Sequence, residues 1–89
     1  MSDRSAAANY VRSLLAARIG DIAHRLDADE AFDDLGVSSI DLVAVVAAME
    51  RDLSVDGRPP AELGEVAGSV RSLTAYCLQL RSYAGGDNR

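Results

Sequence analysis

The stretch Phe32-Asp33-Asp34-Leu35-Gly36-Val37-Ser38-Ser39-Ile40-Asp41 decides how the chain is read. It lies between a run of acids and the apolar run Leu42 to Met49. Ser38 precedes the apolar run, and Asp41 follows three residues later, close to the pattern of a capping box. Ser38 is expected to cap a helix, and Asp41 suits the positive end of its dipole. Ser39 then becomes the first helical residue, and the cap does not need it. Its hydroxyl is expected to project into solvent at a helix N-terminus, where free N–H groups and the dipole favour an anion.

Outward from this point the chain reads as helical. Val11, Leu14, Leu15, Ile19, Ile22 and Leu26 recur at spacings of three and four, predicting one amphipathic helix that runs through Gly20. Residues 27–37 have no period and read as a loop that ends with Phe32 and Leu35 turned inward. The next helix, from Ser38 to Leu53, carries Leu42, Val46, Met49 and Leu53 as its stripe, widened by Val43 and Val45. Gly57, Pro59 and Pro60 end it. A short third helix is expected over residues 60–68, with Leu63 and Val66 facing in. Val70, Leu73, Cys77 and Leu80 mark the last helix. The fold expected is all-α: a small four-helix bundle of three main helices and a short third one. Residues 1–7 and 84–89 are expected to be flexible flanks of a domain spanning residues 8–83.

Composition excludes several kinds of function. The chain has 89 residues, one cysteine and one histidine, so no internal disulfide and no Cys/His metal cluster can form. Its longest apolar run, Leu42 to Met49, is far short of the roughly 20 residues that span a bilayer. The polar start lacks the apolar core of a signal peptide, and a cytoplasmic, monomeric protein is expected. Net charge is −5 and is unevenly placed: residues 27–56 hold nine acids and one arginine. Such a surface disfavours nucleic acid and suits a basic protein partner. Cys77 shares the spacing of core residues, Tyr76 and Tyr83 read as packing or rim residues, and His24 has no partner for catalysis. Met49 reads as core, with a cavity-lining role open to it. No enzyme activity is expected.

The stretch Asp33 to Val43, DDLGVSSIDLV, resembles the attachment motif of acyl carrier proteins, D-x-L-G-x-D-S-L-x-x-V. Asp33, Leu35, Gly36, Ser39, Ile40 and Val43 fall in register, with Ile40 in place of the usual leucine and Ser38 in place of the usual aspartate. The resemblance covers about residues 8–83 and includes the C-terminal Ser69–Leu80 segment. It implies a carrier fold and a 4′-phosphopantetheine arm, drawn from coenzyme A, on Ser39. It also implies service by a phosphopantetheinyl transferase, by an acyltransferase or ligase that loads the arm, and by a ketosynthase or other downstream enzyme. The chain's opening methionine and short flanks favour a free-standing carrier of polyketide or related specialised biosynthesis. An aminoacyl or peptidyl carrier and an unmodified helical interaction module stand as alternatives. Asp41, Ala44, Ala47, Glu50 and Arg51 are the expected partner contacts. Ala44 and Ala47 replace the polar or larger residues usual on that face, and Arg51 interrupts Glu50 and Asp52.

Overall fold

The computed structural model describes residues 3–53 and 66–86, the last four by backbone alone. Four α-helices and no strand occur among the described residues: α1 (Asp3–Ile19), α2 (Phe32–Leu35), α3 (Ser39–Asp52) and α4 (Val70–Gly86). The all-helical expectation holds. The short helix expected over residues 60–68 lies, but for its last residues, outside the described ones; of those, Val66 is half-buried and Ala67 is buried.

The first helix is shorter than its apolar pattern at one end and longer at the other. Gly20 sits at φ +89°, a region open to glycine at little cost, and its N–H closes the helix on the Ala16 carbonyl at 2.9 Å. The chain then makes a 3₁₀ turn over Asp21–His24. This turn buries Ala23 and leaves Ile22 exposed, although Ile22 falls on the helical stripe of the sequence. At the other end α1 begins at Asp3, and Ala7 joins Val11 and Leu15 on its buried face. The first seven residues thus include ordered helix. Likewise α4 continues to Gly86, into the segment set apart as a tail.

The acidic connection is more structured than a loop. Its backbone is pinned to the start of α4 by Phe32 N–H on the Gly68 carbonyl and Arg71 N–H on the Ala28 carbonyl, both at 2.9 Å. Phe32 and Leu35 do turn inward, Phe32 completely and Leu35 in part. One helical turn, α2, separates them. It ends as helices commonly do on a left-handed glycine: Gly36 has φ +73°, its N–H meets the Asp33 carbonyl, and Val37 N–H meets the Phe32 carbonyl at 3.1 Å.

The core gathers Val11 and Leu15 of α1, Phe32, Val45 and Met49 of α3, and Leu73, Tyr76, Cys77 and Leu80 of α4. Each large apolar side chain buried this way contributes about 1.5–3 kcal/mol against chain entropy. Helix α1 packs along both α3 and α4, which touch each other more sparingly. Helix α3 therefore shows its inner edge to α1. It buries Leu42, Val45 and Met49, while Val46 and Leu53 are half-buried. Val43 does not widen the inner stripe; it is 53% exposed.

Candidate functional site

The turn at Gly36 delivers Val37 and Ser38 in extended backbone to the start of α3. Ser38 has φ −70° and ψ 143°, and its Oγ accepts the Ile40 N–H at 3.0 Å. Its carbonyl accepts the Leu42 N–H at 3.1 Å. The cap expected of Ser38 is present. Ser39 is the first residue of α3 and is exposed, and its hydroxyl makes no hydrogen bond among the described residues.

Two hollows flank this end of α3. One, of about 270 Å³, is lined by Ile19, Ile22, Leu26, Leu35, Val37, Ser38 and Asp41. The other, of about 300 Å³, is lined by Phe32, Asp33, Ser39, Leu42, Ala67 and their neighbours. Met49 is enclosed core and lines neither.

The carboxylates of α3 are all engaged. Asp41 Oδ1 accepts the Arg18 Nε–H at 3.2 Å and lies 3.1 Å from Nη2 in the same ion pair. Glu50 accepts the hydroxyl of Tyr76 from α4. Asp52 accepts the hydroxyl of Tyr10 from α1 at 2.9 Å. Partial burial, with the Asp52 bond and charge, holds the Tyr10 phenol well above its ordinary value. Glu50 is half-buried, as is Ala44, whereas Ala47 and Arg51 are exposed. Of the five contacts expected from sequence, Asp41 and Glu50 are tied to neighbouring helices, and Ala47 and Arg51 face solvent. Sequence reasoning missed the three holders, Arg18, Tyr10 and Tyr76. It also missed that Ile40 and Val43 stand outward beside the serine.

Among the described residues neither Cys77 nor His24 lines the hollow beside Ser39. Among the described residues no group of His, Cys, Asp and Glu could hold a metal ion. Cys77 is buried, and that burial pushes its thiol up, away from the reactive thiolate. His24 is exposed on the 3₁₀ turn. A serine hydroxyl without a base is a weak nucleophile, so an enzyme must activate it. What the site offers is an open hydroxyl, held rigidly on a helix end that favours a phosphate, with room on either side.

An exposed hydroxyl at a helix N-terminus can carry a phosphate-linked group. The family of the phosphopantetheine attachment site matches residues 9–77, and the chain belongs to it. No curated protein and no solved structure matches the chain significantly. The cofactor of this family is 4′-phosphopantetheine, attached covalently. When bound it supplies a terminal thiol on a flexible arm. The open hydroxyl on a helix N-terminus fits its phosphodiester. Domains of this family are typically non-catalytic carriers, served by a phosphopantetheinyl transferase and by biosynthetic enzymes. No helix among the described residues is long and apolar enough to cross a membrane.

Proposed function

We propose that the chain is an acyl carrier protein that bears its arm on Ser39, in polyketide or related specialised biosynthesis. The observation that carries the residue assignment is the division of labour between the two serines. Ser38 Oγ is spent on the Ile40 N–H, whereas Ser39 is exposed and unengaged among the described residues. The register of Leu35, Gly36 and Ile40 supports the same choice. In this reading the protein does no bond chemistry. A transferase moves the arm from coenzyme A to Ser39, an acyltransferase or ligase loads it, and a ketosynthase or another enzyme receives the cargo. The tether keeps that cargo at high effective concentration. The exposed Ala47 and Arg51, with the half-buried Ala44, form a face suited to a particular partner.

Intact mass after incubation with coenzyme A and a broad-specificity phosphopantetheinyl transferase tests the assignment. The unaltered protein and Ser38→Ala should each gain one phosphopantetheinyl group, and Ser39→Ala none. Ser38→Ala should also lose about 1 kcal/mol of stability with its cap. Modification retained in Ser39→Ala would place the arm elsewhere.

A further inference from the structure

The acids of α3 serve as internal struts: Asp41 on Arg18, Glu50 on Tyr76, Asp52 on Tyr10. Three arginines at the start of α1 and α4 are placed differently. Arg4, Arg12 and Arg71 line one hollow of about 220 Å³, with Ala8, Ala28 and Val70 among its other walls. It shares no residue with the hollows beside Ser39, and none of its residues lies on α3. Arg12 Nη1 donates to the Ala23 carbonyl at 2.9 Å, and Arg71 spends Nε and Nη2 on Asp29. A guanidinium has five N–H donors, so most of those around the hollow remain unspent. Arg4 is exposed and forms no hydrogen bond or ion pair among the described residues. The chain has nine basic residues against fourteen acids, so three arginines on one hollow reverse its charge locally.

We infer that this hollow docks an acidic segment of a partner protein, one that carries separate carboxylates between small apolar residues. Guanidinium forks match carboxylates in paired hydrogen bonds. The alanine and valine walls are short, so they leave room for a small apolar side chain between two such pairs. A continuous polyanion fits less well. Asp27 and Asp29 flank Ala28 in the wall and are exposed, and Glu30 follows them. These carboxylates would repel the unbroken phosphates of a nucleic acid, whose binding needs clustered cations. A peptide can set its acids against Arg4 and Arg12 and keep them clear of Asp27 and Glu30. Asp29 is then a built-in competitor, since it holds the Arg71 fork until another carboxylate replaces it. A partner held here makes no call on α3, so Ser39 stays open to other enzymes at high effective concentration.

The test uses the full chain and a fluorescein-labelled peptide of glutamate and alanine, with binding read by fluorescence anisotropy. The chain is net −5, so its overall charge opposes the peptide and any capture is local. The peptide should bind, and more weakly as salt rises. Arg4→Glu should lower the affinity about tenfold, and Asp29→Asn, which frees the Arg71 fork, should raise it about threefold. Arg51→Glu makes the same change of net charge on α3 and should stay within about twofold of the unaltered protein. Circular dichroism should show all three variants folded, since each altered residue is exposed. No binding, or an equal loss in Arg4→Glu and Arg51→Glu, would overturn the inference. Tighter binding of a thymidine oligonucleotide than of the peptide would overturn it in favour of nucleic acid. Self-association in sedimentation that Arg4→Glu abolishes would overturn it in favour of a second copy. Modification of Ser39 does not enter the test, so failure of the carrier reading would leave the inference standing.

Discussion

Residues 27–34 and helix α3 both look acidic in sequence, and they use their acids in opposite ways. All five acids of the first region are exposed, and one of them, Asp29, pairs with Arg71. The three acids of α3 all meet donors from α1 or α4. The difference follows from how each region is anchored. Residues 27–34 are held by apolar Phe32 and by backbone bonds to Gly68 and Arg71, which leaves their side chains outward. Helix α3 lies against α1 and reaches α4, so acids at the edges of its buried stripe stand beside tyrosine and arginine tips. Sequence charge therefore does not say which carboxylates are free. On α3 the exposed Asp52 is tied to Tyr10, and apolar Ile40 and Val43 stand in solvent with Arg51.

The largest expected effect breaks the anchor of the first region. Phe32 is 1% exposed in the common core, and its amide and carbonyl both hold the connection. Phe32→Ala should cost about 3–5 kcal/mol by chemical denaturation, the usual result of emptying a buried aromatic site. That is a large part of what a domain this small holds. A loss below about 1 kcal/mol would mean that residues 27–34 are not tied to the core, since buried truncations of this size rarely cost so little.

A smaller effect sharpens the other side of the comparison. Tyr76 is buried, and its hydroxyl donates to half-buried Glu50. Tyr76→Phe keeps the ring and removes the donor, and should cost about 1.5–2 kcal/mol, as for a hydrogen bond to a charged group. Pairing it with Glu50→Gln in a double-mutant cycle measures the strut itself. No coupling between the two would mean that Glu50 is held by nothing in particular, and would free it for docking.

Local signals carried the reading of the serines, because a cap depends on residues two to four apart. Ser38, the short acidic approach and the helix after it could be read from the sequence for that reason. The end of α1 could not. An interior glycine lowers helix stability by only about 1 kcal/mol, so an apolar period running past Gly20 to Ile22 and Leu26 reads as continuous. Helix α2 spans four residues, too few to show a period. In α3 the crowded run Leu42 to Met49 hides which edge faces in; packing on α1 selects Val45 and turns Val43 out. The struts were hidden most completely. Arg18, Tyr10 and Tyr76 lie 23, 42 and 26 residues from the acids they hold, and nothing local marks them.

The smallest expected effect lies at Asp29, the one acid of residues 27–34 that forms an ion pair among the described residues. Its carboxylate meets the Arg71 guanidinium through both oxygens, and both side chains are more than half exposed. The Arg71 hydrogen bond holds the Asp29 carboxyl below its usual range. A depressed folded-state value gives stability that is present above the ordinary aspartate value of about 3.9. That stability is lost as pH falls through the lower folded value. Asp29→Asn should therefore lower Tm slightly near neutral pH, and the deficit should close on acidification. It should also shrink in about 1 M salt, where screening acts within about 3 Å. Exposure keeps the effect small, because water already solvates both groups. The Tyr76 strut should behave otherwise: its half-buried partner is screened little, so the Tyr76→Phe loss should persist in the same salt. If the Asp29 deficit survived both acid and salt, its side chain would be acting through something other than its charge. The contrast between outward and inward acids would then need redrawing at that position.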